Sequence, residues 1–133
     1  MKRIIPILLM MALLLTGCTS PAPKPVPESN TYRQITMQEA VEMMEKEENY
    51  IILDVRTHEE FAAGHSPGAI VIPNETIGTE ELPQLPDKNQ LIMVYCRSGN
   101  RSRQASDKLV KLGYTNVVEF GGIIDWPGEI VMD

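Results

Sequence analysis

Residues 94 to 102 of the chain read VYCRSGNRS, and Cys96 stands there in a setting where a thiol could do chemistry. It follows an apolar run, LIMVY at 91 to 95, and the chain must then turn from a strand into a helix within a few residues. Gly99 relieves backbone strain in so tight a turn, while Ser98, Asn100 and Ser102 can hydrogen-bond locally or cap the helix. In that geometry the backbone N–H groups of residues 97 to 102 can point inward as an anion-binding nest, and the helix N-terminus adds partial positive charge. Arg97 and Arg101 add full charges. A thiol in such a field ionises more readily and becomes a nucleophile. The same field would hold an anionic substrate and the charge that develops during attack. On these residues alone a second reading stays open, in which Cys96 is a buried strand-end residue and both arginines face water.

The elements that must position this loop follow from periodicity. Thr36 with Glu39 fits a capping box, and Met37, Ala40, Val41 and Met44 mark one face of a helix running to residue 46. YIILDV at 50 to 55 and LIMVY at 91 to 95 are strands buried on both faces. A short helical turn over 59 to 63 ends at Gly64, with His58 facing solvent. Residues 69 to 72 form a short strand closed by Pro73, and residues 74 to 90 are loop-rich with a turn of helix near Glu80. Residues 102 to 112 form a helix with Ala105, Leu109 and Leu112 on one face and Gly113 as its C′ residue. Residues 116 to 119 make a further short strand. Strands alternating with helices predict an α/β domain with a mostly parallel sheet covered on both faces. In such sheets sites form beyond the carboxyl ends of the strands, where Cys96 stands at one end and Asp54 and Arg56 at another.

The chain has 133 residues, 43% of them apolar and 23% charged, which allows one soluble domain and no more. Its first residues differ from the rest. MKR is basic, and residues 4 to 15 (IIPILLMMALLL) are almost unbroken apolar sequence. That run is too short to cross a hydrocarbon core, which takes roughly 20 residues, and it is expected to be an export signal. Leu15-Thr16-Gly17-Cys18 resembles the bacterial lipoprotein signal. The resemblance implies that residues 1–17 are removed and that Cys18 becomes the first mature residue, carrying a thioether-linked diacylglycerol and an N-acyl chain such as palmitate. Two or more chains anchor stably where one holds only marginally. Thr19 stands where the inner-membrane retention signal commonly has Asp. An extracytoplasmic lipid-anchored protein is therefore expected, on the periplasmic side of the outer membrane in an organism with two membranes and otherwise on the outer face of the cell membrane.

Residues 18–31 then form a tether: prolines at 21, 23, 25 and 27 favour extended polyproline geometry and leave too little apolar content to pack. The folded domain is expected over residues 32–133. Removal of residues 1 to 17 takes Lys2 and Arg3 with it and leaves 10 basic against 18 acidic side chains. That balance speaks against a nucleic-acid partner, whose binding depends on neutralising phosphates. With Cys18 lipidated, Cys96 is the one remaining thiol, so it cannot form half of an internal disulfide.

Cys96-Arg97-Ser98-Gly99-Asn100-Arg101-Ser102 resembles the active-site loop of the rhodanese family of sulfurtransferases. A separate match lies upstream in Asp54-Val55-Arg56, Glu60-Phe61, Gly64-His65, Pro67-Gly68-Ala69 and Ile72-Pro73, and Gly121-Gly122 with Trp126 resembles the family's closing segment. The resemblance implies a rhodanese-like three-layer α/β domain with a central parallel five-stranded sheet, and a thiosulfate sulfurtransferase activity. Cys96 would take sulfane sulfur from thiosulfate or a similar donor as a persulfide and pass it to cyanide or a thiol acceptor. Arg97 and Arg101 would orient the donor and stabilise the persulfide. Ser98, Gly99, Asn100 and Ser102 would shape the cradle, and Asp54 and Arg56 would brace it. The alternative is a membrane-anchored persulfide carrier or binding module with little turnover.

Cysteine phosphatases resemble this arrangement but use Cys-x5-Arg, a loop one residue longer, and the position they would need is Ser102. The Cys-x4-Arg spacing argues for sulfur transfer. In the family the histidine matched by His65 lies in a structural turn, and persulfide transfer needs no base once the thiol is ionised. No residues have metal-ligand spacing, no cofactor is implied, and nothing in the sequence demands more than a monomer. Two departures from the family pattern stand out. Ser66 occupies a position where an apolar residue, commonly isoleucine, is usual, and only PGEIVMD follows Trp126.

Overall fold

The computed structural model describes residues 31–132. The signal at 1–17, Cys18 and most of the tether lie outside the described residues. Five parallel strands form one sheet in the order β1-β5-β4-β2-β3, with β1 at Arg33–Gln34, β2 at Tyr50–Asp54, β3 at Ile70–Val71, β4 at Leu91–Cys96 and β5 at Val117–Gly122. The helices are α1 at Met37–Lys46, α2 at His58–Ala63 and α3 at Asn100–Lys111. Strand β4 occupies the middle of the sheet and every one of its residues is buried.

Alternation along β4 splits the core into two layers. Ile92, Val94 and Cys96 pack with Ala105 and Leu109 of α3 and with Leu53, Val55 and Val117. Met93 and Tyr95 pack on the other face with Ala40 of α1, Ile52, Val118 and Phe120, and Phe61 of α2 packs against that layer. The predicted three-layer α/β sandwich is thus the fold of the chain, and Cys96 ends the central strand on the side covered by α3.

Several boundaries differ from the expected ones for physical reasons. Strand β1 has two exposed residues, Arg33 and Gln34, with no apolar pattern to betray them, and it joins the sheet edge by pairing with Val118 and Glu119. Helix α3 begins at Asn100 rather than at 102, because Gly99 takes a left-handed conformation (φ 104°) as its N-cap and lets the helix start immediately behind the loop. The helical turn expected near Glu80 is absent. A 3₁₀ turn lies instead at Asn74–Thr76, where Pro73 leads in at φ −57° and the Thr76 hydroxyl donates to its carbonyl at 2.8 Å. Thr36 Oγ1 does accept from the Glu39 amide at 3.1 Å. The reciprocal capping box forms at Thr57 and Glu60.

Strand β5 runs past Glu119 to Gly122 through an irregularity. Val94 pairs with Glu119 but Cys96 with Gly122, so three steps on β5 answer two on β4, with Gly121 at φ 99° in the bulge. This extra residue carries Gly122 beneath the loop that follows Cys96.

Ser66 shows what its departure from an apolar residue entails. Its amide donates to the Tyr95 hydroxyl at 3.1 Å, while its own hydroxyl is buried without a hydrogen-bond partner among the described residues. The short closing segment still docks: Trp126 packs near Phe120 at 6.1 Å, and Val131 exchanges two 2.9 Å backbone hydrogen bonds with His65.

Candidate active site

Cys96 is 1% exposed, at the floor of a cradle made by the β4–α3 turn. The Gly99 amide donates to Sγ at 3.0 Å, and the Ser102 hydroxyl lies 3.4 Å from Sγ. Burial, the strongest single influence, opposes charging of the thiol. The Ser102 hydroxyl and the amides of Ser102, Gly99 and Ser98 together outweigh it and hold the thiol below its ordinary value. The cradle is also fixed from below. A side chain at Gly122 would run into the Arg97 carbonyl and come within 2.6 Å of Ser98 Cα, so the loop backbone lies directly on Gly122. The Ile124 amide donates to the Arg97 carbonyl at 3.3 Å.

The two arginines of the loop are held differently. Arg97 is exposed and makes no ion pair among the described residues. Arg101 makes a two-pronged ion pair with Glu60 of α2, Nη1 to Oε1 at 2.7 Å and Nη2 to Oε2 at 3.0 Å. Hydrogen bonding from Arg101 is the main cause that draws the Glu60 carboxyl down to about 2. The pair therefore stays ionised at neutral pH, and the stability it contributes is lost as pH falls from the ordinary 4.5 through about 2. Glu60 thus caps α2 through Thr57 and fastens the first turn of α3 to α2.

Of the residues singled out in the sequence, the structure brings Cys96, Ser98, Gly99 and Ser102 around one sulfur atom, with Asn100 exposed as the first residue of α3. Asp54 and Arg56 are both buried and bond one another, Nη2 to Oδ2 at 2.7 Å and Nε to Oδ1 at 3.0 Å, and Arg56 also donates to the Gly64 carbonyl at 2.7 Å. These bonds fasten the end of β2 to the end of α2, and none reaches residues 97 to 102. His65 is buried, stacks on Phe61 at 3.8 Å, and has Nδ1 3.0 Å from the Phe61 carbonyl, where it donates. No group of three or more His, Cys, Asp or Glu among the described residues is arranged to hold a metal ion.

Two residues of the site had no role assigned from sequence. Glu60 stands in the Glu60-Phe61 match of the family resemblance, but nothing there marks it as the partner of Arg101. Glu119 is 4% exposed and accepts from the Ser102 hydroxyl at 2.6 Å and from the Gly121 amide at 2.9 Å. Its one signal in sequence is a carboxylate inside the otherwise apolar run VVEF.

A parallel α/β sheet whose central strand ends in a thiol, cupped by helix-N-terminal amides, defines a class of domains built around a reactive-type cysteine loop. Residues 36–128 match the rhodanese-like domain family, and the chain belongs to that family. It is 40% identical over 73 residues to thiosulfate sulfurtransferase PspE of Escherichia coli (strain K12), covering 55% of this chain and 70% of that protein. It is 39% identical over 80 residues to a sulfurtransferase of Allochromatium vinosum, covering 59% of this chain and 73% of the relative. A solved structure described as a rhodanese with anions from E. coli superposes with a TM-score of 0.58 at 36% identity, over 63% of this chain and 99% of that one.

Proposed function

We propose that the protein is a thiosulfate sulfurtransferase that works through a persulfide on Cys96. The observation that carries this reading is the Gly99 amide 3.0 Å from Sγ at the N-terminus of α3, in a setting that holds the thiol below its ordinary value. The Cys96 thiolate attacks the outer sulfur of thiosulfate. A new S–S bond forms to Cys96, the bond to the sulfonate sulfur breaks, and its electron pair leaves with sulfite. Cyanide or an acceptor thiolate then attacks the outer sulfur of the persulfide, and the Cys96 thiolate departs unchanged. The cycle therefore neither consumes nor releases a proton once the thiol is ionised. The small relatives that carry sulfurtransferase names support the reading.

The cradle residues divide the work. Amides of Ser98, Gly99 and Ser102 stabilise charge on the reacting sulfur, Asn100 shapes the rim, and Arg97 attracts the dianionic donor. Arg101 orients the donor by sharing its guanidinium between the donor and Glu60. Because Cys96 is 1% exposed, a slender sulfane group reaches Sγ where a bulky one does not. Asp54 and Arg56 act at one remove, by fixing the end of β2.

The test is to incubate the protein with thiosulfate, add cyanide and follow thiocyanate. Sustained production supports the enzyme, a single stoichiometric burst supports a sulfur carrier, and none at all contradicts both. Arg101→Ala is expected to raise KM for thiosulfate about tenfold, the effect of roughly 1.4 kcal/mol. Its cost in stability should be small, because partly exposed ion pairs contribute about 0.2–1 kcal/mol. A loss of kcat and Tm with unchanged KM would contradict the role given to Arg101.

The proposed setting is extracytoplasmic, with the domain tethered through a lipidated Cys18. The Leu-Thr-Gly-Cys stretch at 15 to 18, directly after the apolar run at 4 to 15, supports that reading. Full-length protein is expected to partition into detergent and to incorporate labelled palmitate, and Cys18→Ala to lose both properties. Label retained by the variant would overturn the anchor.

A further inference from the structure

Glu119 is a buried carboxylate with no cation beside it among the described residues. Asp54, the other buried carboxylate of the sheet, is neutralised by Arg56 at 2.7 Å. Glu119 is instead met by the Ser102 hydroxyl at 2.6 Å and the Gly121 amide at 2.9 Å. Behind the nucleophile this makes one continuous chain, Cys96 Sγ to Ser102 Oγ at 3.4 Å and Ser102 Oγ to Glu119 Oε1 at 2.6 Å.

The Ser102 hydroxyl has one hydrogen, and four acceptors compete for it: Sγ, Glu119 Oε1 at 2.6 Å, the Gly99 carbonyl at 2.9 Å and the Gly121 carbonyl at 3.4 Å. The shortest contact is to Glu119. With that carboxylate ionised, the hydroxyl points its hydrogen away from sulfur and offers the thiol a lone pair. It can turn its hydrogen to a thiolate without leaving Oε1 and Oγ in repulsion only if Glu119 itself carries a proton and donates to Ser102. The chain thus has two arrangements with the same number of protons.

We propose that Glu119 is a positioning residue that shares one proton with Cys96 through Ser102, so that ionising the thiol protonates the carboxylate. In the transfer the S–H bond breaks and leaves its electron pair on sulfur, and a new O–H bond forms at Ser102. The old Ser102 O–H bond breaks and a new one forms at Glu119 Oε1. The buried site keeps a single negative charge throughout, which avoids placing a second anion two hydrogen bonds from the first in a low-dielectric setting.

The neighbouring charges leave this exchange intact. From α3, Arg101 is engaged by Glu60 of α2, and Arg97 projects to solvent from the loop. From β1, Arg33 turns to the Asn116 side chain at 3.2 Å. On β4, Tyr95 belongs to the opposite core layer, and on β2 Asp54 is paired with Arg56.

The inference rests on Cys96 being the reactive thiol, and its test needs no sulfur donor. The rate of Cys96 alkylation by iodoacetamide is measured against pH in the folded protein. Two groups sharing a proton lose their protons in two macroscopic steps. Thiolate in the wild type is therefore expected to appear in two stages, separated by about one pH unit or more. Glu119→Gln, which keeps an acceptor for Gly121 and Ser102 but cannot take up the proton, is expected to show one stage. Ser102→Ala, which cuts the chain between the two groups, is also expected to show one stage, and it serves if the first variant does not fold. A single stage in the wild type, or two stages retained in Glu119→Gln, would overturn the proposal. Failure of thiosulfate to load Cys96 would leave these titrations readable and would fall on the proposed function alone.

Discussion

Cys96→Ser is expected to lower sulfur transfer by a factor on the order of 10⁴ or more, to the background of the uncatalysed reaction, as removal of an essential nucleophile does. A serine hydroxyl in the same cradle ionises far less readily than a thiol, and an oxygen nucleophile cannot form the persulfide that the cycle requires. The fold should survive the change. Cys96 is one residue of a core layer that also holds Leu53, Val94, Leu109 and Val117, and the new hydroxyl finds Ser102 Oγ and the Gly99 amide in place of sulfur. Burial of the added polarity is expected to cost about 1–2 kcal/mol at most when it is hydrogen-bonded in this way. Thiocyanate formation and thermal unfolding, measured on the same preparation, separate the chemical loss from a structural one. Residual transfer above background in Cys96→Ser would place the nucleophile elsewhere.

Gly122→Ala is expected to have the second largest effect, although it removes no functional group. The new Cβ would occupy the space of the Arg97 carbonyl and lie 2.6 Å from Ser98 Cα, and both obstacles are backbone that cannot rotate away. Either the loop lifts off β5 or β5 withdraws from β4. Lifting of the loop pulls the Ser98 and Gly99 amides off the sulfur, and a misplacement of this kind costs about 10²-fold in rate. Overpacking should add a loss of stability of roughly 1–3 kcal/mol. The distinctive readout is the thiol: as the Ser98 and Gly99 amides depart, less opposes the effect of burial and Cys96 ionises at higher pH than in the wild type. Wild-type alkylation kinetics in Gly122→Ala would show that contact with Gly122 does not hold the cradle.

The parts of this molecule that were legible in sequence are those whose signal is local. YIILDV and LIMVY announce buried strands because every residue must be apolar when both faces are covered. Gly113 marks the end of α3 because its φ of 97° is one that residues with a side chain rarely adopt. The cradle was legible for the same reason, since Cys96, Gly99 and Ser102 lie within one turn of chain. The start of α3 was misplaced because the left-handed Gly99 lets a helix begin earlier than its apolar face does. Strand β1 left no trace, being two exposed polar residues on a sheet edge.

The rest depends on contacts between residues far apart in the chain. Arg101 looked free to hold a donor until α2 brought Glu60 to it across 41 residues. Glu119 sits 17 residues from Ser102 and comes behind the nucleophile through the bulge in β5. Neither carboxylate is given a partner by the sequence, because nothing in its own neighbourhood reports what the fold will place against it. The Asp54–Arg56 pair shows the converse. Its position at a strand end and its bracing role were legible, but the bond that carries the brace to Gly64, away from the loop, was not.

The most direct measurement is the mass of the intact protein after incubation with thiosulfate and removal of the excess, followed by peptide mapping. The expected result is the addition of one sulfur atom, located on the peptide that carries Cys96, lost on addition of cyanide and absent in Cys96→Ser. An unmodified Cys96 under conditions where the thiol is alkylated readily, or sulfur found on any other residue, would contradict it.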